Sequence, residues 1–574
     1  MKIRRILSLV ITASMLSVCA VPMVQADEQE LYSETFDMTE VKADKENGVI
    51  KEIEVPDGDY TVTVTTGGET ETNANIYING GERVRAYTLE AGQSQDNEQP
   101  VVPQDGKITV QVIGENPNVT EIDVQQLPNR TEKAEKTTIY IAGDSTAQTY
   151  DYKNAYPQTG WGQAFADYFT DDIVIENRSM AGRSSKSYNN DGRLDRILTE
   201  MHPGDYVFIQ FGINDGAENK PERYISVEDY KKLITEKYMG EVTKRGGTPV
   251  LMTASAAAWW DEENNNFMES RQDYADPTRE IAKETGCAFI DANRIMTDKW
   301  NTMDKNEVLS GYFVCEPLES KAYPVGTNDT THMKAKGAKA VAGLIAEDIK
   351  TSVPELAKYL KSKEIFFNDT NGHWAQEYIT ALADKGMVDG VGDGKFNPDG
   401  TVTRAEFLKM AMDAMGIPGH AYREGECLDA SNDDWYCYYL QGALDKALIP
   451  PKMAGLSVVI PETITKVLAE ATEDTEAVTA EVFDYTGGKF NGNQPITREE
   501  MAAIICRVMP YAYNGPISNP FADVDDTTSD YVSDIAFVAH FGLLEGMGDG
   551  TFAPKATLTR AQAAVVADKL ANAH

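Results

Sequence analysis

The sequence predicts a protein of three successive parts: an N-terminal antiparallel β-sandwich, a central α/β domain with a parallel sheet, and a C-terminal, mainly helical region of repeats. Three observations predict this order. Apolar and polar residues alternate with a period of two up to about residue 134. Short apolar runs then alternate with helical patterns over residues 137–362, and one motif recurs three times after residue 363. A chain of 574 residues is too long for a single hydrophobic core.

The first 26 residues have the composition of a signal peptide. Lys2, Arg4 and Arg5 form a basic start, and residues 6–15 are mostly apolar. Residues 24–26 (Val-Gln-Ala) fit a cleavage site. We therefore expect an exported protein.

The chain is strongly acidic, with a formal net charge of −38. Removal of residues 1–26 takes away three basic and no acidic residues, so the mature chain lies near −41. This charge argues against nucleic acid or an anionic membrane as a partner. No later apolar stretch is long enough to span a bilayer. Cys19 offers lipid attachment as an alternative, although Val18 stands where lipoprotein signals usually carry Gly or Ala.

The cysteines of the mature chain are few and odd in number, which excludes a disulfide framework. Their spacing also lacks the Cys-x-x-Cys or Cys/His patterns of zinc sites. Cys427 and Cys437 are candidates for one disulfide, because exported proteins meet an oxidising environment.

Residues 27–134 are predicted to form the β-sandwich. Strand patterns at residues 52–55 and 60–64 flank a Pro-Asp-Gly turn, and the alternation returns at residues 74–81 and 107–114. No catalytic group of residues stands out in this part. Two interpretations stay open, namely a carbohydrate-binding or domain-docking module and a structural spacer.

Residues 137–362 are predicted to form a parallel sheet with helices on both faces. The predicted strands are residues 137–142, 172–175, 206–211, 249–253 and 288–291. The predicted helices are residues 162–169, 192–201, 227–244, 268–285 and 333–349. In such sheets, functional side chains gather at the carboxyl ends of the strands.

A serine directly follows the first strand of this domain. Residues 143–145 (Gly-Asp-Ser) end a buried run, and residues 212–215 (Gly-Ile-Asn-Asp) follow a later strand in the same way. A serine hydroxyl needs a neighbouring base to attack a carbonyl carbon. We predict Ser145 as the nucleophile, His332 as the base, and Asp329, three residues earlier, as the residue that orients the imidazole.

The tetrahedral intermediate of such a reaction carries an oxyanion that needs preorganised donors. The candidates are the backbone N–H groups of Ser145 and Gly182 and the side-chain amide of Asn214. For Gly182 and Asn214 the alternative is a structural role in turns. Trp259 and Trp260 are candidates for stacking on a sugar ring, with burial in the core as an equal alternative.

The ordered motifs of this domain resemble those of the SGNH (GDSL-type) hydrolases. The matching residues are 143–145, 182, 212, 214–215, 329 and 332. A longer context is similar to the rhamnogalacturonan acetylesterase branch (carbohydrate esterase family 12), at residues 143–147, 160–163, 177–179 and 182–185. The resemblance implies a flavodoxin-like fold, no metal or other cofactor, and removal of O-acetyl groups from pectic or related polysaccharide.

Two departures from that branch leave the substrate open. Ile213 stands where the branch often has histidine, and residues 256–260 (Ala-Ala-Ala-Trp-Trp) replace an expected polar loop. The predicted function is that of a secreted O-acetylesterase of rhamnogalacturonan-like polysaccharide. The alternatives are another ester, such as acetylated xylan, on the same fold, or a wall-attached polysaccharide-binding protein without activity.

The C-terminal region contains three copies of one motif. The predicted repeats are residues 364–417, 422–510 and 517–573, with an insertion in the second. The sequence of each copy predicts a helix, then a Gly-rich loop, and then a second helix that begins at Thr-Arg. Glu406 and Glu500 stand three residues after the threonine, as a capping box requires.

These repeats resemble S-layer homology modules. The resemblance implies non-covalent attachment to a secondary cell-wall polysaccharide of a Gram-positive-type bacterium. Arg404, Arg498 and Arg560 are the candidates for binding a carboxylate of that polymer, because a guanidinium can grip a carboxylate through two parallel hydrogen bonds. The alternative is a structural ion pair at the start of each helix.

Overall fold

The computed structural model of the chain describes residues 31–151, 158–315, 319, 323, 326–361, 367–457, 463–469, 478–509 and 517–572. The predicted signal peptide lies outside the described residues. The chain divides into two compact units. The first comprises Met1–Gln148, Asp171–Ser255 and Arg271–Asn293, and the second comprises Thr149–Thr170, Ala256–Ser270 and Arg294–His574.

Two four-stranded antiparallel sheets form the N-terminal part of the first unit. Their strands are β1 Ser33–Asp37, β2 Val49–Glu54, β3 Tyr60–Gly67, β4 Thr72–Ile78, β5 Gly81–Leu89, β6 Ser94–Val101, β7 Lys107–Asn116 and β8 Val119–Gln126. The strand orders are β1-β8-β3-β6 and β2-β7-β4-β5. Alternate residues enter one apolar core, among them Val62, Val64 and Ile76. The predicted β-sandwich is confirmed.

A five-stranded parallel sheet lies in the rest of the first unit. Its strands are β9 Thr137–Gly143, β10 Ile173–Asn177, β11 Tyr206–Gln210, β12 Thr248–Met252 and β15 Ala288–Ile290. Their order in the sheet is β10-β9-β11-β12-β15. All five predicted strands are present, and each boundary lies within about two residues of its prediction. Because β9 pairs with β10 on one side and β11 on the other, its carboxyl end lies between theirs.

Helices alternate with these strands along the chain. They are α1 Trp161–Ala164, α2 Ser185–Asn190, α3 Arg193–Glu200, α4 Val227–Lys232, α5 Gly240–Lys244, α6 Gln272–Thr285, α7 Ala292–Trp300, α8 Lys305–Val308 and α9 Ala335–Ser352. The π-helical segments are Leu233–Met239 and Leu309–Phe313, and the 3-10 segments are Phe165–Tyr168 and Pro354–Tyr359.

The predicted helix over residues 268–285 begins late, at Gln272. The residues before it belong to a small hairpin of β13 Trp260–Asp261 and β14 Asn266–Phe267. Met268 N–H donates to Trp259 O at 2.9 Å. The first residue of the predicted helix is therefore bonded to the hairpin instead.

Within its described residues, each repeat of the second unit contains two helices, as predicted. They are α10 Gln376–Asp384, α11 Arg404–Ala414, α12 Cys437–Asp445, α13 Arg498–Val508, α14 Val532–His540 and α15 Arg560–Ala571. The insertion in the second repeat contains the antiparallel strands β16 Thr463–Ala469 and β17 Val478–Phe483. Thr403, Thr497 and Thr559 cap α11, α13 and α15 with complete capping boxes.

The three repeats close into a ring. The first residue of the second helix in each repeat donates its backbone N–H to the loop of the following repeat, and the third repeat returns to the first. These hydrogen bonds join Arg404 to Gln494, Arg498 to Ala556 and Arg560 to Gly400, at 2.9, 2.9 and 2.8 Å.

The thiols of Cys427 and Cys437 have separate partners. Cys427 donates to Asp429 at 3.4 Å, and Cys437 donates to Asn432 O at 3.9 Å. The candidate disulfide between these two described residues is therefore not formed. Among the helices of the described ranges, none combines the length and the apolar character needed to cross a membrane.

Candidate active site

Ser145 lies in a tight turn at the carboxyl end of β9. Gly143 ends the strand, and a Cβ there would lie only 3.1 Å from Ser179 Oγ, so the close approach favours glycine. The buried carboxylate of Asp144 accepts hydrogen bonds from the backbone N–H and the hydroxyl of Thr146 at 2.9 and 2.8 Å. This turn holds Ser145, whose exposed fraction is 7%. The Gly-Asp-Ser motif thus forms a rigid turn.

The loop that follows β10 is tied to the turn of Ser145. Asn177, the last residue of β10, donates from Nδ2 to Ala147 O at 2.7 Å, and Met180 N–H in the loop donates to Gly143 O at 2.9 Å. Gly182 in this loop has a φ of +71°, which favours glycine, and a Cβ on it would lie 3.3 Å from the Arg223 guanidinium. The structure therefore places the candidate oxyanion donor Gly182 in a loop that is bonded to the turn of the predicted nucleophile Ser145.

The loop that follows β11 is built around the buried carboxylate of Asp215. This carboxylate accepts hydrogen bonds from the Ser185 N–H and hydroxyl at 2.9 and 2.5 Å and from Gly212 N–H at 2.9 Å. Burial raises the pKa of Asp215 to about 6, although these hydrogen bonds favour the charged form. Asn214 Nδ2 donates to Arg183 O at 3.1 Å, and the same amide carries a second N–H.

The structural role of Asp215 was not predicted. The Gly-x-Asn-Asp spacing could have indicated this role, because the Asp215 carboxylate accepts the N–H of Gly212, three residues earlier, and so closes a turn. Such side-chain to backbone turns are common for aspartate.

Asp329 and His332 form a hydrogen-bonded pair within the second unit. His332 Nδ1 lies 2.7 Å from Asp329 Oδ2, while Oδ1 accepts the backbone N–H groups of Thr331 and His332 at 2.7 and 3.0 Å. Burial acts to raise the pKa of Asp329, but the hydrogen bonds from His332 and Thr331 outweigh it and lower this pKa to about 2. An ionised Asp329 that accepts Nδ1–H holds the tautomer whose Nε2 can take a proton.

The segment that carries this pair is fixed by backbone hydrogen bonds within the second unit. Thr330 O accepts from Ala258 N–H and Met333 O accepts from Thr159 N–H, both at 2.8 Å. The helix α9 then begins at Ala335. The imidazole therefore projects from an anchored segment.

The rings of Trp259 and Trp260 have different surroundings. The Trp260 ring packs edge-on against Phe267, with ring centroids 4.9 Å apart, and Lys305 Nζ lies 4.8 Å from its centroid. Trp259 is 40% exposed, next to Ala258, which is bonded to the segment of the imidazole. Trp260 is half-buried and packs against Phe267, and sugar stacking by either ring stays a prediction.

The predicted site residues are thus distributed over two units. Ser145, Gly182 and Asn214 belong to the first unit, where the carboxyl ends of β9, β10 and β11 bring their loops to one edge of the sheet. Asp329 and His332 belong to the second unit, which joins the acid to the imidazole. Their catalytic roles stay predictions.

The three arginines predicted to bind a wall polymer lie in the contacts between repeats. Arg498 Nε donates to Phe552 O at 2.7 Å, and its guanidinium lies 4.5 Å from the ring centroid of the same residue. Arg560 meets Phe396 in the same way, at 2.8 and 4.6 Å. Arg404 also reaches the next repeat, through Glu500. These contacts correspond to the structural alternative, and polymer binding stays a prediction.

Family models match both the central and the C-terminal parts of the chain. The GDSL-like Lipase/Acylhydrolase family matches residues 141–340, which include every predicted residue of the triad. The S-layer homology domain matches residues 366–408, 477–502 and 520–564. The middle match is the shortest of the three, in keeping with the insertion in the second repeat.

Three proteins of Bacillus subtilis (strain 168) are similar to this chain. The probable rhamnogalacturonan acetylesterase YesY is 34% identical over 212 residues, which are 37% of this chain and 92% of the relative. The rhamnogalacturonan acetylesterase RhgT is 29% identical over 229 residues, 39% of this chain and 95% of the relative. The uncharacterized esterase YxiM is 25% identical over 304 residues, 52% of this chain and 73% of the relative.

Proposed function

The chain belongs to the GDSL-like lipase/acylhydrolase family and is a carboxylic ester hydrolase, and from this premise we propose that it is an exported, wall-attached O-acetylesterase of rhamnogalacturonan-like polysaccharide. Two relatives named as rhamnogalacturonan acetylesterases are matched over almost their whole length, which supports this substrate class. The S-layer homology repeats support attachment to a cell-wall polysaccharide.

In the proposed reaction, Ser145 Oγ attacks the acetyl carbonyl carbon while His332 Nε2 accepts the hydroxyl proton. The ester bond to the sugar then breaks, and His332 returns the proton to the leaving sugar oxygen. A water molecule, deprotonated by the same imidazole, then attacks the acetyl-serine; the bond from Ser145 Oγ to the acetyl carbon breaks, Oγ takes the proton back from His332, and acetate leaves. The observation that carries this proposal is the 2.7 Å hydrogen bond between His332 Nδ1 and Asp329, because it fixes the tautomer that a base needs.

The oxyanion of each tetrahedral intermediate is assigned to three donors. They are the N–H groups of Ser145 and Gly182 and the second amide N–H of Asn214. One donor of this kind contributes about 10²–10³ in turnover. The positive φ of Gly182 and the hydrogen bond from Asn214 to Arg183 O support this assignment, because both preorganise the donors before substrate binds.

The full chain with Ser145→Ala tests the mechanism. We expect acetate release from acetylated rhamnogalacturonan to fall by about 10⁴-fold or more, because the attacking oxygen is removed. Ser94→Ala, which changes an exposed serine at the start of β6, is the matched control and should keep the parent rate. Acetate release by the Ser145 variant at the parent rate would refute the mechanism.

A panel of acetylated polysaccharides tests the substrate. Acetylated rhamnogalacturonan, acetylated xylan and an acetylated peptidoglycan are compared at equal acetyl concentration, with released acetate as the readout. We expect the highest kcat/KM for rhamnogalacturonan. A higher kcat/KM for xylan would replace the proposed substrate and leave the ester chemistry intact.

Sedimentation with purified bacterial cell walls tests the attachment. We expect the full chain to pellet with the walls and to be released by an excess of soluble wall polysaccharide. A chain that stays in the supernatant would contradict the proposed anchoring without bearing on the esterase activity.

A further inference from the structure

A cleft of about 500 Å³ lies between the β-sandwich and the parallel-sheet part of the first unit. We call it the arginine cleft, because it is lined by Arg83 of β5, Arg178 of the loop after β10, and Arg193 and Arg196 of α3. Among the described residues that line it, Asp191 is the one acidic residue. In a chain with a net charge of −38, this concentration of cations points to an anionic ligand.

The positive charge of the arginine cleft is only partly neutralised by neighbouring carboxylates. Arg178 pairs with Glu200 at 2.7 Å and lies 3.4 Å from Glu176. Arg193 lies 3.7 Å from Asp191. Arg196 is exposed and forms no ion pair with any residue that the structure describes. Arg193 and Arg196 therefore remain the most available to an anion.

Arg83 is the buried cation of the cleft, with 4% of its side chain exposed. Its Nη2 donates to the carboxylate of Asp195 at 2.7 Å. Its Nε and Nη1 atoms are buried and have no hydrogen-bond partner within the described part of the chain. A Cβ on Gly192 would lie 1.8 Å from Nη1, so glycine at this position makes room for the guanidinium. Because these atoms are shielded from solvent, Arg83 adds positive charge to the wall of the cleft rather than a direct hydrogen bond to a ligand.

The arginine cleft adjoins the candidate site within the first unit. Asn177 lines the cleft and also donates to Ala147 O, two residues after Ser145. A second cleft of about 280 Å³ shares Asp191 with the first, and the candidate oxyanion donor Gly182 lines it. A polymer whose ester lies at Ser145 could therefore continue into the arginine cleft.

We propose that the arginine cleft binds the carboxylate of a uronate residue in the polysaccharide and thereby selects acidic over neutral acetylated glycans. A guanidinium binds a carboxylate through two parallel, charge-assisted hydrogen bonds. The β-sandwich supplies Arg83 and Gln99, so it is a part of the substrate site rather than a spacer. This inference rests on the proposed acetylesterase function.

The full chain with Arg193→Gln and Arg196→Gln together tests the inference. This double variant removes two cations and keeps hydrogen-bonding, helix-compatible side chains. We expect the KM for acetylated rhamnogalacturonan to rise about tenfold relative to the KM for acetylated xylan that has been stripped of uronate. Arg83→Gln, which keeps a donor for Asp195, should raise the same ratio. Lys107→Gln, an exposed residue of β7, is the control and should leave the ratio unchanged.

Binding of de-acetylated polygalacturonate separates this inference from the proposed function, because this probe has carboxylates and no ester. By isothermal titration we expect the parent chain to bind it and the double variant to bind it about tenfold more weakly, whether or not the chain releases acetate. Equal binding by parent and variant, no binding by the parent, or an equal rise in KM for both acetylated polymers would overturn the inference.

Discussion

At the scale of single residues, the carboxylate of Asp329 has two functions. One oxygen accepts two backbone N–H groups and shapes the segment, while the other accepts the imidazole of His332. The three-residue spacing predicted the second function, because an aspartate three residues before a histidine can reach its ring. The first function makes the pair rigid before any substrate binds.

We expect Asp329→Asn to lower kcat by about 10³- to 10⁴-fold with little change in KM, because the amide cannot stabilise the imidazolium. Initial rates with p-nitrophenyl acetate measure this. The lowered pKa means that the carboxylate's contribution to stability is present above about pH 4 and is lost as the pH falls through about 2. Protonation of Asp329 should therefore not limit activity above pH 4.

Asp525→Asn is the matched control for this substitution. Its carboxylate also accepts two backbone N–H groups, from Thr527 and Thr528 at 2.8 and 3.1 Å, in an exposed loop. We expect this variant to keep the parent rate. Parental activity in the Asp329 variant would contradict the assigned role.

Asp215 shows which features of the candidate site can be predicted from the sequence and which cannot. The sequence predicted that the motif of Asp215 follows a strand, because the apolar runs mark where the strands end. The burial of Asp215 could not be predicted. The Ser185 groups that donate to its carboxylate lie 30 residues away in the sequence and contact it only in the folded domain. For the same reason, the sequence predicted Gly182 and Asn214 as donors but could not predict the hydrogen bonds that position their loops.

The raised pKa of Asp215 predicts a pH-dependent stability. The neutral carboxyl is compatible with burial, so its contribution to stability is complete below about pH 4 and is lost as the pH rises through about 6. We expect the free energy of unfolding of the parent, relative to Asp215→Asn, to fall by about 3 kcal/mol between pH 4 and pH 7. Urea unfolding at several pH values measures the difference, and an equal difference at both pH values would contradict the prediction.

At the scale of elements, the residues that begin the second helix of each repeat have two separate roles. The threonine caps its own helix, whereas the arginine after it bonds to the next repeat. The Thr-x-x-Glu spacing predicted the caps, since capping is local. The targets of the arginines were not predicted, because Phe552 O is 54 residues from Arg498 and Phe396 O is 164 residues from Arg560.

We expect Arg498→Ala to lower the free energy of unfolding by about 2–4 kcal/mol, because the carbonyl oxygens of Phe552 and Glu545 lose their donor. Chemical unfolding measures the change. Arg85→Ala is the control, since 77% of that side chain is exposed, and its effect should stay within about 0.5 kcal/mol. Loss of wall binding with unchanged stability would contradict the structural role.

At the scale of the molecule, the β-sandwich and the parallel sheet form one compact unit rather than two independent modules. The carboxylate of Asp195 is buried and lies 2.7 Å from Arg83 and 3.6 Å from Lys237. The sequence left a carbohydrate-binding or domain-docking module and a structural spacer as equal interpretations, because a single aspartate in a helix does not reveal its partner. The predicted domain boundaries themselves stay predictions.

We expect Asp195→Ala to lower the free energy of unfolding by about 3–5 kcal/mol, because it leaves two cations without their buried partner. Calorimetry should show the sandwich and the sheet unfolding in one transition at a lower temperature. Asp57→Ala is the matched control: its ion pair with Lys244 at 3.1 Å is exposed, and its effect should stay below about 1 kcal/mol. A separate, unshifted transition of the sandwich would contradict the prediction.

The closed arrangement distinguishes the three repeats from an open array of repeats. In a solenoid, each copy touches only its neighbours and can be added or removed singly. Here the last copy donates to Gly400 O of the first, so a chain cut after the second repeat would leave the Arg498 N–H without its acceptor and Gly400 O without its donor. The inserted strands β16 and β17 lie between the residues of these contacts and leave all three hydrogen bonds in place. Loss or addition of one repeat would therefore break a contact of the ring, whereas an insertion within a repeat need not.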